Sequence, residues 1–205
     1  MLNLVFLIGL GLFVISSAYF FLTMKDRGAF NPAFLVSFIT VVSYLLMWQG
    51  GLTVVTDAGQ PIFWTRWVFY ALSCTLLMVE IGAVKGIKGG ALIQQLYLTA
   101  IVMVTGALAA LDLSAVRWAH FVISSVAYVL LVLGVIRAKA DGAGWVNSYI
   151  YFGWTGFPLV FLLAPTGFGV IGAAAANLLY LALDIYTKIL FNIQLAGATK
   201  EDITA

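Results

Sequence analysis

The stretch ANLLYLALDIYTKILFNI, residues 176–193, decides how the whole chain is interpreted. It is apolar enough to lie inside a membrane, yet Asp184 and Lys188 stand near its middle. Side chains four residues apart share one face of a helix. Ionisable groups at membrane depth are costly and usually serve a function. The pair is therefore a candidate site, although a structural ion pair that ties helices together would have the same spacing.

The composition predicts a membrane protein. The chain has 205 residues, of which 63% are hydrophobic and only 9% are charged. Soluble domains carry roughly 25% charged residues, so lipid is the solvent that this composition fits. A net charge of +2 argues against a nucleic-acid partner. Cys74 is the single cysteine of the sequence and excludes an internal disulfide and a cysteine zinc site. No nucleophile, metal cluster or phosphate loop predicts an enzyme.

Seven apolar stretches are long enough to span a bilayer, which takes about 20 residues each. They cover residues 2–23, 30–49, 62–84, 91–111, 115–137, 146–164 and 169–196. We therefore predict an all-α bundle of seven transmembrane helices, a multi-pass protein of the cell membrane. It forms a single domain over residues 1–205, with helices within 1–197 and a loose polar tail at 198–205. The first stretch is interpreted as a retained helix and not as a cleaved signal peptide.

The basic residues predict the orientation. They follow the odd-numbered spans: Lys25, Arg27, Lys85, Lys88, Arg137, Lys139 and Lys200. Cytoplasmic loops carry an excess of lysine and arginine. We therefore expect the N-terminus outside and the C-terminus in the cytoplasm.

The sixth span carries an aromatic stripe. Trp154, Phe157 and Phe161 fall on one helical face, and Pro158 can kink the helix. Such a stripe alone is more often packing than a cofactor site. Opposite a buried lysine, it could clamp a flat, elongated apolar ligand.

These runs resemble the microbial rhodopsins. The run DIYTK, residues 184–188, resembles the helix-7 signature in which the lysine binds retinal and the aspartate is a counterion. The run WTGFPLVF, residues 154–161, is similar to the retinal clamp W-x-x-Y-P-x-x-W, with phenylalanine in the last two aromatic places. The run RWVFYALSCTLL, residues 66–77, is similar to the family's R-Y-x-D-W-x-x-T-T-P-L-L.

The resemblance implies all-trans retinal as cofactor, bound to Lys188 as a Schiff base. The implied pocket residues are Trp154, Phe157, Pro158, Phe161, Tyr70, Cys74, Ser124 and Tyr128. Tyr44 also falls in a plausible pocket position. Membrane lipids, protons and a homotrimeric assembly are the partners that the resemblance implies.

The departures from the family pattern imply a direction of transport. Outward proton pumps have an aspartate at the position of Phe69, as counterion and proton acceptor. The helix-3 triplet Phe69, Ser73 and Glu80 resembles instead the schizorhodopsins, light-driven inward proton pumps. Cys74 beside Ser73, the short chain and its minimal loops also look like that family.

Charge reasoning agrees with this direction. Asp184 is the one carboxylate that we can place beside Lys188, and pairing with Arg66 would keep it ionised and a poor proton acceptor. Glu80 lies 14 residues beyond Arg66, roughly 21 Å further inward along the helix. We therefore expect Asp184, Glu80, Arg66, Phe69 and Ser73 to govern the proton, although Glu80 could also be an interface residue whose carboxylate reaches water.

Three other functions stay open. A sensory photoreceptor would share the pocket and act through a separate transducer. An anion pump is disfavoured because Phe69 fills a place that chloride pumps give to a small hydroxyl residue. A membrane protein without pigment would carry the Asp184 and Lys188 pair by coincidence.

Overall fold

Seven helices form the part of the chain that this computed structural model describes, residues 1–24, 31–138 and 143–204, with side chains up to residue 197. The first five are α1 (Leu2–Thr23), α2 (Pro32–Trp48), α3 (Thr65–Val84), α4 (Gly89–Leu111) and α5 (Arg117–Arg137). Helix α6 comprises Trp145–Ser148, Tyr149–Trp154 and Thr155–Leu163, and α7 comprises Ala173–Asp184, Ile185–Leu190 and Phe191–Thr204. The predicted seven-helix fold is confirmed.

Two details of the prediction are wrong. Helix α7 begins at Ala173 and not near residue 169, because Gly169 has a positive φ of 66° and Gly172 is extended. The helix also continues to Thr204, where we expected a loose tail from residue 198. Residues 198–204 contain neither proline nor glycine, so nothing in them stops a helix.

A short β-hairpin, absent from the prediction, joins α2 to α3. Its strands β1 (Thr53–Val55) and β2 (Pro61–Phe63) pair antiparallel around a turn in which Gly59 has a φ of 72°. The Gln60 side chain accepts a hydrogen bond from the Ala173 backbone N–H at 3.2 Å. The hairpin therefore satisfies a free donor at the first turn of α7.

Helices α6 and α7 each contain one π-helical turn, Tyr149–Trp154 and Ile185–Leu190, and the two turns pack together. Gly153 permits the contact, because a Cβ there would overlap Thr187 and lie 3.0 Å from the Tyr186 ring. Such turns are rare and often mark functional sites. Here the α7 turn contains Lys188.

The outer surface of the bundle suits lipid. Large apolar side chains point outward along the helices, among them Ile15, Leu130 and Phe152. Six helices in the described ranges are long and apolar enough to cross a membrane, and α2 is apolar but has 17 residues. The end of the bundle with β1 and β2 is called the hairpin end, and the opposite end, where α3 stops, is called the Lys85 end.

Candidate functional site

Asp184 is the centre of the buried polar network, and its carboxylate is fully buried. The Tyr44 hydroxyl donates to its Oδ2 at 2.8 Å, and the Tyr70 hydroxyl donates to its Oδ1 at 2.7 Å. Arg66 Nη1 lies 3.1 Å from Oδ2, and Lys188 Nζ lies 2.9 Å from Oδ1. Three hydrogen-bond donors from α2 and α3, and the Lys188 amine of its own helix, thus surround one carboxylate. Both oxygens of the carboxylate therefore have a hydrogen-bond donor and a cation beside them.

Arg66 reaches this carboxylate from the first turn of α3. Its Nη1 also donates to the Tyr70 oxygen at 2.8 Å, and its Nη2 donates to Asn177 Oδ1 at 2.8 Å. Its guanidinium lies 4.6 Å from the centre of the Tyr180 ring. Cation–π contacts and charge-assisted hydrogen bonds both fix a buried guanidinium. The positive charge beside Asp184 is therefore held on the hairpin side of it.

Lys188 is buried one turn further along α7. Its Nζ lies 3.9 Å from the centre of the Tyr70 ring, in addition to its contact with Asp184. Here the free amine stands for the nitrogen that a Schiff base would carry. Asn192, one turn beyond, donates from Nδ2 to the Lys188 carbonyl at 2.8 Å.

An apolar cavity of about 110 Å³ opens beside Lys188 and lies between α3, α4, α5, α6 and α7. Ten residues expected at the site line it: Arg66, Tyr70, Cys74, Ser124, Tyr128, Trp154, Phe157, Pro158, Phe161 and Lys188. Along α5 the lining runs from Phe121 to Leu131, about 15 Å of helix. The cavity is therefore elongated, and Lys188 is the lysine in its wall.

Two polar side chains of α5 that we expected in the pocket bond to neighbouring helices. Ser124 Oγ donates to the Val102 carbonyl of α4 at 3.0 Å. The Tyr128 hydroxyl lies 2.8 Å from Thr155 Oγ1 of α6. These bonds hold α4, α5 and α6 around the cavity.

Three expected residues of α3 lie outside the cavity wall. Phe69 is half-buried, and Ser73 is fully buried. Glu80 is buried, with 4% of its surface exposed, near the Lys85 end. Lys85, also buried, donates to Asn147 Oδ1 of α6 at 3.3 Å. The alternative in which Glu80 lies at the membrane interface with its carboxylate in water does not fit this burial, because protein covers the residue.

Several residues of the site were not among those predicted from the sequence. Asn177 holds Arg66, Tyr180 stacks on Phe157 at 6.0 Å between ring centres, and Trp67, Gly106 and Thr187 line the cavity. Asn177 and Tyr180 stand seven and four residues before Asp184, so the helical period of α7 could have identified them. The wall at Gly106 depends on how α4 packs, which no local pattern reveals.

Comparison with known proteins identifies the family. A model of the bacteriorhodopsin-like proteins matches residues 1–201. The chain belongs to the bacteriorhodopsin-like family. It is similar to the crystal structure of schizorhodopsin 4, with 36% identity and a TM-score of 0.90 over 96% of this chain and 98% of that chain. The expected membership of the microbial rhodopsins is confirmed.

Curated relatives agree at lower identity. Bacteriorhodopsin-II of Haloarcula marismortui is 27% identical over 173 residues, which cover 77% of this chain and 69% of that protein. Archaerhodopsin-3 of Halorubrum sodomense is 25% identical over 205 residues, which cover 90% and 80%. Members of this family are light-driven ion pumps or photoreceptors and bind retinal. The chain is accordingly a multi-pass integral membrane protein, and the prediction that it is not an enzyme is confirmed.

Proposed function

We propose that this rhodopsin carries retinal on Lys188 and uses light to move protons from the hairpin end to the Lys85 end. One observation carries the proposal. Among the side chains that the structure describes, only Asp184 and Glu80 are buried carboxylates. Asp184 is saturated with donors, and Glu80 lies toward the Lys85 end.

The residues around the cavity fit retinal. A polyene needs a long apolar space, and the cavity wall is mostly aliphatic and aromatic. Trp154, Phe157 and Phe161 would hold the chain and ring by apolar contact, and Lys188 Nζ would form the covalent bond. When bound, retinal supplies light absorption and an isomerisation that lowers the proton affinity at Lys188 Nζ.

Before light arrives, Asp184 keeps the proton on Lys188 Nζ. The two groups are 2.9 Å apart in a site without solvent exposure, where the attraction between opposite charges is strong. After light, the same carboxylate is a poor acceptor, because Tyr44, Tyr70 and Arg66 still stabilise its charge. A proton leaving Nζ therefore needs another destination.

Glu80 provides a destination on the other side of Lys188. Helix α3 runs from the hairpin end to the Lys85 end, and Glu80 is 14 residues beyond Arg66, roughly 21 Å along its axis. Helix α6 begins at Trp145, only about 13 Å of helix before Trp154. Glu80 stands five residues before Lys85, at the end of α3, so beside this short segment a proton that it attracts has a short way to solvent.

The charges of the loops support an inward direction. Lys85, Lys88 and Arg137 lie at the Lys85 end, whereas the connections 49–64, 112–116 and 164–172 at the hairpin end contain no lysine or arginine. Cytoplasmic loops carry the excess of basic residues. The orientation predicted from the sequence also used Lys25, Arg27 and Lys139, which lie outside the described residues. We infer that the Lys85 end faces the cytoplasm, with the N-terminus outside.

The experiment compares light-driven transport by the wild type and by Glu80→Gln. Cells that express either protein receive all-trans retinal, and the external pH is followed during illumination. The wild type should raise the external pH, and an uncoupler should abolish the change. Glu80→Gln should keep its visible absorption and lose most of the initial rate, about tenfold, because an amide neither attracts nor relays a proton.

Asp112→Asn is the matched control, an acid-to-amide change in the loop after α4 at the hairpin end. Its rate per pigment should equal that of the wild type. An undiminished rate in Glu80→Gln, at equal pigment, would show that Glu80 does not serve the proton route.

A further inference from the structure

Gly9 of α1 lies against the ring of Tyr44, the α2 residue that donates to Asp184. A Cβ at Gly9 would overlap two ring carbons of Tyr44, and the ring carbon Cζ, which bears the hydroxyl, would be 3.0 Å away. Real Cβ atoms essentially never approach other atoms this closely. The Tyr44 ring can therefore occupy this position only because glycine has no side chain.

Other neighbours leave the Tyr44 ring little freedom to move. Phe13, one turn beyond Gly9, stacks on it with ring centres 5.7 Å apart, and Phe6 meets it edge-on at 6.4 Å. Both phenylalanines and Tyr44 are fully buried. The hydroxyl of the ring bonds to Asp184 Oδ2 at 2.8 Å, and the Arg66 guanidinium lies 5.7 Å from the ring centre. A displacement of the ring must therefore change that bond.

We propose that Gly9 is a positioning residue that sets the hydrogen bonding, and through it the protonation and colour, of the Asp184 counterion. The inference rests on the proposed function, because it takes Asp184 as the counterion of a retinal on Lys188. Among the described residues, the side chains that hydrogen-bond to Asp184 belong to α2 and α3 and not to α1. Helix α1 acts through Tyr44.

The test is Gly9→Ala, read by absorption. The added methyl group pushes the Tyr44 ring and weakens its bond to Asp184 Oδ2. A carboxylate that loses a donor is protonated more readily. The absorption maximum of purified pigment is followed as the pH is lowered. The midpoint of the acid-induced colour change should rise by about one pH unit, a tenfold change in proton affinity.

Gly11→Ala is the matched control. Gly11 stands two residues away on the same helix, and a Cβ there meets nothing within 4 Å. Its midpoint should equal that of the wild type. A general effect of alanine on α1 would shift both variants alike and would overturn the proposal.

Tyr44→Phe isolates the hydroxyl. It should raise the midpoint by itself, and Gly9→Ala added to it should shift the midpoint no further, because the ring remains but the bond is gone. An equal shift in the presence and absence of the hydroxyl would overturn the proposal. If Gly9→Ala yields no folded pigment, an unchanged midpoint in Tyr44→Phe alone would also overturn it. Failure of the proposed function looks different: inward transport fails through the external pH of illuminated cells, which this titration does not measure, and retinal binding fails if the wild type itself forms no visible pigment.

Discussion

Replacing Asp184 with asparagine removes the anion beside Lys188 while keeping the size of the side chain. Lys188 Nζ and Asp184 Oδ1 are 2.9 Å apart. At an effective dielectric constant of about 20, two unit charges at that distance attract by about 6 kcal/mol. Each pH unit corresponds to 1.36 kcal/mol. The Asp184→Asn change should therefore lower the pH at which half of the molecules have lost the proton on Lys188 Nζ by about 4 units.

The assay is a pH titration of the purified pigment by absorption. A protonated Schiff base absorbs in the visible, and a deprotonated one absorbs in the near ultraviolet. The midpoint of that change should fall by about 4 units in Asp184→Asn, and the remaining charge of Arg66, 3.1 Å from the same carboxylate, acts in the same direction.

Asp112→Asn serves again as the control. Hydrogen bonds from Ser114 lower the pKa of Asp112, so this loop carboxylate is ionised. The described contacts of Lys188 Nζ are with Asp184 and Tyr70 and do not include Asp112. Its substitution should leave the midpoint in place. If Asp184→Asn moved the midpoint by less than one unit, Asp184 would not be the counterion and the charge assignment would be wrong.

Two further variants test how the site is held. Gly153→Ala should destabilise the pigment by about 1–3 kcal/mol, because its methyl group overpacks the contact with Thr187 and Tyr186. The variant should therefore bleach faster on heating than the wild type. Gly144→Ala, where the added methyl group has open space around it, should bleach at the wild-type rate. Asn177→Leu should cost about 1–3 kcal/mol in the same assay, because Arg66 Nη2 loses its buried acceptor. The exposed Asn3→Leu change is its control, and equal bleaching rates for Asn177→Leu and Asn3→Leu would contradict the assigned role of Asn177.

The spans and the lysine could be predicted from the sequence because both depend on local patterns. A membrane helix needs a long apolar stretch, so α1, α3 and α5 were located to within a few residues. The spacing of Asp184 and Lys188 places them on one helical face without any knowledge of the other helices. The aromatic stripe of α6 was found in the same way.

The remaining features depend on contacts between segments far apart in the sequence. The hairpin strands β1 and β2 have three residues each, too few for a period to be visible. The donors from Tyr44 and Tyr70 to Asp184 join residues 140 and 114 positions apart. The role of Gly9 exists only because α1 packs on α2.

The direction of light-driven transport tests the account most directly. Cells that express the wild type with all-trans retinal are illuminated in weakly buffered medium while the external pH is recorded. A rise in external pH that an uncoupler abolishes, and that Lys188→Ala lacks, is the predicted result. A fall in external pH would contradict the account, because protons would then leave the cell past Asp184 and Arg66.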